Sequence, residues 1–338
     1  MCLYPKIIQN RKYIANKKNG GIIPPVNDER VKYVPVGCGK CMECRKQKAR
    51  EWQVRLSEDL RKNKNGKFVT LTFNDQALKE LDKEVKGLSG YNRDNEISRI
   101  AVRRYTERWR KKYGKTLRHW LVTELGGTNT ERLHMHGIVW TDKNEEIERI
   151  WKYGKVWIGT YVSEKTVNYI VKYVNKIDLK HKEYKSKIYA SKGIGKNYID
   201  RKDKERNRYK KGDTIETYKT KKGIELALPK YYRNKIYTEE EKEKLWIEKL
   251  DQKVRWVGGI KVDISKDDKE YFKVLKKMRH KNKRLGYGDN SKNWEQKQYE
   301  NQRREIKRAE RINKIYKKEE EIIIKEEIIP EGNINEAF

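Results

Sequence analysis

Phenylalanine is scarce in this chain, at 4 residues in 338, beside 22 Tyr and 9 Trp. Tyr and Trp suit a surface that stacks against planar groups and also meets water. Long apolar runs are missing as well. No segment approaches the roughly 20 residues that span a bilayer, which excludes a transmembrane helix. The amino terminus has no apolar signal core, so export is not expected. Neither an internal repeat nor a phosphate loop of the G-x-x-x-x-G-K-[ST] form occurs. Acidic residues are also in deficit: 83 Lys and Arg face 50 Asp and Glu, a formal charge of +33. Such an excess repels itself unless a polyanion is near, and nucleic acid fits better than an anionic membrane. An AT-rich genome also encodes many Lys, Asn, Ile and Tyr, so composition points to nucleic acid without establishing it.

Cysteine is rare but not scattered. Of 4 cysteines, Cys38, Cys41 and Cys44 lie in one short run and Cys2 at the amino terminus. A disulfide framework spreads its cysteines, so a cytoplasmic metal site is expected. Two successive C-x2-C steps let three thiolates wrap one soft ion, and Cys2 can complete a tetrahedral set. A structural Zn²⁺ that pins the amino terminus to the following helix is the preferred reading. An iron–sulfur cluster and reduced thiols without metal stay open.

Along the chain, residues 1–37 read as irregular, broken by Gly20, Gly21, Pro24, Pro25 and Pro35. A helix follows the cysteines, with Ala49, Trp52, Leu56 and Leu60 at helical spacing. Phe68–Phe73 reads as a buried strand and Ser98–Tyr113 as a basic helix. Leu117–Leu125 and Arg132–Trp140 read as strands joined by a Gly-rich loop, Gly126, Gly127 and Asn129. Glu145–Trp151 is then a helix and Lys155–Tyr161 a strand. Ser163 suits the N-cap of a helix running to about Lys176. Thr214–Leu228 suits a hairpin. From Thr238 the chain reads as charged and largely helical, with a frayed tail from Glu295. The expected fold class is α+β: an antiparallel sheet with helices packed on it, in a split βαβ order. Three parts are expected: a cysteine-rich module and helix at 1–65, a central domain at 66–240, and a charged helical extension at 241–338.

His134-Met135-His136 lies on a predicted strand, where residues i and i+2 share a face. The two imidazoles then start about 7 Å apart along the strand and can share one divalent ion. Glu124, on the preceding strand, comes roughly opposite them and adds a carboxylate. This donor set suits Mg²⁺ or Mn²⁺ and leaves positions open for substrate. Two surface histidines on a half-exposed strand are the plainer alternative. On the helix after Ser163, Val167, Ile170, Val171, Val174 and Ile177 gather on one side at 100° per residue. Tyr169, Lys172, Tyr173 and Lys176 gather on the other, so core filling does not explain the tyrosines. A phenol, with a pKa near 10, is a weak nucleophile at neutral pH. Nearby ammonium groups favour its phenolate, and a metal ion neutralises charge that develops on a phosphate. A solvated amphipathic helix with incidental tyrosines is the rival reading.

Taken together, Phe68–Phe73, His134–His136 and Tyr169–Tyr173 resemble, in order and spacing, the three motifs of HUH endonucleases that initiate rolling-circle replication. The likeness is to the initiators of single-stranded DNA microviruses of the gokushovirus type. It also includes the CGKCMECR run at Cys38–Arg45, R-x-H-x-H-G at Arg132–Gly137, Y-x-x-x-Y at Tyr169–Tyr173 and the Leu228–Tyr237 stretch. It covers about residues 1–240. The resemblance implies an RRM-like HUH domain that nicks single-stranded origin DNA. Tyr169 or Tyr173 would attack, giving a 5′-phosphotyrosine and a free 3′-OH, and the other would act in the rejoining cut. Lys172 and Lys176 would assist, and His134, His136 and Glu124 would hold Mg²⁺ or Mn²⁺. It further implies single-stranded and replicative-form viral DNA as partners, a host polymerase, no membrane, and the host bacterial cytoplasm. With no phosphate loop of its own, the protein is expected to rely on a separate host helicase. The oligomeric state stays open. Alternatives are a transposase or relaxase of the same chemistry and a non-catalytic zinc-dependent nucleic-acid-binding protein.

Overall fold

The computed structural model describes residues 1–126, 131–178 and 180–289, and residues 315, 318, 319, 321 and 322 beyond them. The elements in chain order begin with β1 (Lys6–Gln9), β2 (Tyr33–Val36), α1 (Met42–Lys62), β3 (Gly66–Thr72) and α2 (Asp75–Asp82). Then come α3 (Gly90–Tyr113), β4 (Arg118–Leu125), β5 (Leu133–Trp140), α4 (Asn144–Trp151), β6 (Val156–Ile158), α5 (Glu164–Asn175) and β7 (Ile188–Ala190). The remainder is β8 (Thr217–Lys219), β9 (Glu225–Ala227), α6 (Lys230–Ile236), α7 (Glu239–Asp251), β10 (Val254–Val257), β11 (Ile260–Asp263) and α8 (Lys269–Arg284). They divide into two compact units. The first takes Met1–Gly66, Thr160–Tyr184 and the chain from Ala190; the second takes Lys67–Gly159 and Lys185–Tyr189.

The second unit is α+β. Its sheet has five strands in the order β6-β3-β5-β4-β7, and the β3/β6 and β4/β5 pairs are antiparallel. Val69 and Leu71, on one face of β3, are fully buried. Thr70 and Thr72, the residues after each of them, are half-buried; this two-residue period is what a strand with one packed face requires. An aromatic cluster of Phe73, Tyr105, Trp109, Trp151 and Tyr153 ties the end of β3 to α3 and α4. Its edge-to-face contacts include Phe73–Trp151 at 5.3 Å and Tyr105–Trp151 at 5.5 Å. The indole N–H of Trp151 donates to the Thr72 carbonyl at 2.8 Å, so this large buried ring leaves no stranded donor.

The first unit is organised on α1. Buried Glu58 in that helix takes two hydrogen bonds of 2.9 Å from the Arg201 guanidinium and one from the Tyr218 hydroxyl. A buried carboxylate is tolerable when paired and fully bonded in this way. Beside it Val54 joins Tyr198, Tyr218, Leu228, Tyr232 and Leu245 in one apolar cluster.

Several expectations are corrected. Residues 1–37 are not wholly irregular, because β1 and β2 pair antiparallel from Lys6↔Val36 to Gln9↔Tyr33. The helix expected at Ser98 begins at Gly90, and α2 precedes it. The strand expected over Lys155–Tyr161 is only Val156–Ile158. The stretch after Thr238 is interrupted by the β10–β11 hairpin, turned by Gly258 and Gly259 at φ of 60° and 87°. Such angles suit glycine, which has no Cβ to clash. Most of the expected tail from Glu295 lies outside the described residues.

Candidate active site

Glu124, His134 and His136 meet on one face of the second unit's sheet. The β4/β5 register sets Glu124 opposite His134 and Val122 opposite His136. That ladder is drawn tight at Gly137, where a Cβ would lie 2.0 Å from the Trp120 carbonyl oxygen. Only glycine fits directly after His136. The two imidazoles stand edge to face with centroids 4.8 Å apart, and their Nε2 atoms are 3.1 Å apart. Glu124 Oε2 lies 3.1 Å from His136 Nε2 and 3.3 Å from His134 Nε2. Bonds of about 2.0–2.1 Å to one ion put neighbouring donors about 3.0–3.4 Å apart, from right-angled to tetrahedral geometry. The three atoms match that spacing. All three side chains are partly solvent-accessible, as a site with open coordination positions requires.

The far ring nitrogens are held too. His134 Nδ1 lies 3.1 Å from the Arg132 carbonyl, which can only accept, so Nδ1 carries the proton and Nε2 offers its lone pair. His136 Nδ1 is hydrogen-bonded to the Thr70 hydroxyl at 3.0 Å, and its ring stacks on Phe68 at 6.1 Å and 15°. Orienting partners of this kind are what histidine ligands ordinarily have. Thr70 was not singled out from the sequence. Its signal is the threonine–leucine–threonine alternation within Phe68–Phe73, which gives β3 a polar face.

The tyrosine helix α5 belongs to the first unit. Ser163 caps it, its hydroxyl accepting from the Thr166 N–H at 3.5 Å within a capping box. Val167, Ile170, Val171 and Val174 are buried, as the projection requires. Tyr169 is exposed and Tyr173 half-buried. Their rings meet edge to face at 5.4 Å, and the Tyr173 hydroxyl donates to that of Tyr169 at 2.5 Å. Lys176, the C-cap, holds its ammonium 5.8 Å from the centre of the Tyr173 ring, over the face rather than at the hydroxyl. Lys172 is exposed. Helix α5 lies along α1, where Gln53 donates to Asn168 at 2.7 Å and Arg45 to the Lys176 carbonyl at 3.1 Å.

Cys2, Cys38, Cys41 and Cys44 come together at the start of α1, their sulfurs all within 4.8 Å of one another. Cys2 and Cys41 Sγ are 3.8 Å apart, about the edge of a tetrahedron with 2.3 Å metal–sulfur bonds. The N–H groups of Tyr4 and Cys38 point at Cys2 Sγ at 3.3 and 3.2 Å, and those of Lys40 and Cys41 at Cys38 Sγ at 3.4 and 3.3 Å. Such donors stabilise thiolates. The hydrogen bond from Cys44, with backbone N–H bonds, draws the Cys41 thiol down to about 4, and the same contact pushes Cys44 up. Cys41 is the N-cap of α1 but bonds none of its free N–H groups with its side chain. Asn282 of α8 does so instead, accepting from Met42 N–H at 2.8 Å. Leu3, Cys41, Met42, Val257, Leu275 and Met278 pack as one cluster around the sulfurs.

His119 and His181 lie apart from these groups. His119 is buried, with Nδ1 2.9 Å from the Leu117 carbonyl. His181 pairs with Asp178 at 2.5 Å. Among the described residues no helix is long and apolar enough to cross a membrane.

Comparison with known proteins agrees with the motif order. The family model for replication-associated protein ORF2 matches residues 66–178. That range holds β3, the Glu124–His134–His136 cluster and the tyrosine helix. The replication-associated protein ORF2 of Spiroplasma virus 4 is 30% identical over 271 residues, covering 70% of this chain and 81% of the relative. No solved structure matches the chain. The chain belongs to the replication-associated protein ORF2 family.

Proposed function

We propose that this protein is a rolling-circle replication initiator that nicks single-stranded origin DNA by tyrosine transesterification and later rejoins the displaced strand. The observation that carries the reading is the Tyr169–Tyr173 hydroxyl pair, 2.5 Å apart, in a chain that also builds the Glu124–His134–His136 cluster. The sheet order β6-β3-β5-β4-β7 supports an HUH, RRM-like assignment, since it sets the histidine strand centrally beside β3.

In the first step a phenolic oxygen attacks the scissile phosphorus. The new bond joins phosphorus to the tyrosine oxygen, and the bond to the 3′ oxygen breaks. The phenolic proton is balanced by the proton gained on the departing 3′ oxygen. The products are a 5′-phosphotyrosine and a 3′-OH able to prime a host polymerase. The second tyrosine repeats the attack at termination, and the freed 3′-OH then displaces the first phosphotyrosine to close a circle. Tyr173, donating to Tyr169, leaves the Tyr169 oxygen as acceptor, while Lys172 and Lys176 favour the phenolate electrostatically. Glu124, His134 and His136 hold Mg²⁺ or Mn²⁺, which when bound polarises the phosphate and neutralises developing charge.

The four thiolates hold a structural Zn²⁺ that fixes the amino end of α1, and with it the helix on which α5 rests. On this reading residues 66–240 carry the nuclease, 1–65 its cysteine module and 241–338 an extension. The partners are single-stranded and replicative-form DNA with a host helicase and polymerase, in the bacterial cytoplasm. The test uses full-length protein, Mg²⁺ or Mn²⁺ and the single-stranded form of its own replicon. Nicking with covalent attachment is expected, and Y169F/Y173F should bind DNA without forming the adduct. Binding with no cleavage by the unaltered protein would instead support a non-catalytic nucleic-acid-binding role.

A further inference from the structure

Four tryptophans of the second unit are buried: Trp109, Trp120, Trp140 and Trp151 are at most 6% exposed. Trp157, on the edge strand β6, is 58% exposed. Its place in the sheet is specific. Trp157 pairs with Thr70 across β3/β6, and paired residues share a face. Thr70 is the residue bonded to His136 Nδ1, so the indole stands on the face that carries the ion cluster.

The ring is also held. The Phe68 ring meets it edge to face at 5.4 Å and 73°. Gly159, two residues on, leaves room beside it, since a Cβ there would lie 3.3 Å from an indole carbon. The Gly159 N–H bonds to the Phe68 carbonyl at 2.9 Å, which fixes the strand under the ring. Phe68 in turn stacks on His136. An unbroken row of rings therefore runs from the sheet edge to the ion cluster. Lys155, two residues before Trp157 in the same alternation, is exposed and makes no ion pair among the described residues.

We propose that Trp157 is the platform of a nucleobase subsite, stacking one unpaired base of the single-stranded DNA whose phosphate sits at the Glu124–His134–His136 cluster. The proposal rests on the nuclease reading for its ligand. An exposed, pre-held indole offers a base a flat partner without losing rotamer freedom on binding. Lys155 supplies a cation for the neighbouring phosphate. Two ring-to-ring steps separate platform and ion cluster, so the stacked base belongs about one or two nucleotides from the scissile phosphate, at about 3.4 Å per stacked base. Edge strands are ordinarily blunted by charge or proline. An open indole does the opposite, and a base covering it accounts for its presence.

The test is made in the Y169F/Y173F background with Mg²⁺ at fixed salt, so that no adduct forms. Two probes are used, a fluorescein-labelled oligodeoxythymidylate and the same strand with abasic sites at every position. W157A should weaken binding of the first by about 5- to 100-fold, the range of one lost base–aromatic stack. W157F should retain most of it. The abasic strand should bind weakly and equally to all three proteins. Unchanged binding of oligodeoxythymidylate by W157A overturns the proposal, as does an equal loss on both strands. Loss of self-association in W157A, with DNA binding intact, assigns the ring to a protein contact instead. Mn²⁺ binding at the cluster serves as the fold control. A W157A effect in a protein that never forms an adduct leaves the subsite and removes the nuclease. An adduct without a W157A effect removes the subsite alone.

Discussion

Thr70 and His136 are joined by a hydrogen bond of 3.0 Å between the threonine hydroxyl and the Nδ1 side of the ring. That bond leaves Nε2 free to face Glu124 and His134. Removing it should free the ring to turn or change tautomer without removing any ligand. T70V is expected to weaken Mn²⁺ binding by about 10- to 100-fold, the usual cost of losing an orienting partner, with T70S close to the unaltered protein. Titration calorimetry or Mn²⁺ spin resonance reads the difference. Equal Mn²⁺ affinity in T70V would show that the strand alone orients His136.

The cysteine cluster should hold about one Zn²⁺ per chain. C41S should lose most of it, since Cys41 is the buried N-cap thiol at the start of α1. Because α5 lies on α1, zinc loss should lower the melting temperature and slow adduct formation. Mn²⁺ binding at the Glu124–His134–His136 cluster should change little by comparison. Elemental analysis of the purified protein decides the first point, and iron in place of zinc would reassign the cluster.

His119 gives the protein a pH dependence apart from its chemistry. Burial, against the help of its bond to the Leu117 carbonyl, holds its pKa below the ordinary 6.5. The unfolded chain therefore takes up this proton first as pH falls. The contribution to stability is fully present above about pH 6.5 and is lost as pH falls from there through the lowered folded value. H119N, which can keep a donor toward Leu117, should flatten that slope in a series of thermal melts. A slope identical in H119N would place the titration elsewhere.

Much of the site was legible because its periods are short. The i, i+2 alternation of His134 and His136, and the i, i+4 spacing of Tyr169 and Tyr173, fix relative side-chain directions without tertiary information. The opposition of Glu124 to His134 followed from counting across a glycine-rich connection. Thr70 was not legible, because which strand lies beside β5 is set by crossover order rather than by local spacing. The β10–β11 hairpin carried its Gly258-Gly259 turn signal, but the charged sequence on either side read as helix. Helix α2 is short, with only Ala77, Leu78 and Leu81 buried, and eight residues give a periodic pattern little room. The strand expected to reach Tyr161 stops at Ile158.

The measurement that tests the account most directly is mass spectrometry of the covalent complex. Full-length protein is incubated with the single-stranded replicon and Mn²⁺, treated with nuclease and digested. A nucleotide is expected on the peptide containing Tyr169 and Tyr173, linked to either hydroxyl through a 5′ phosphate. It should be absent from Y169F/Y173F and from H134A/H136A. An adduct that persists in Y169F/Y173F, or that maps to another residue, contradicts the assignment of these tyrosines as the nucleophiles.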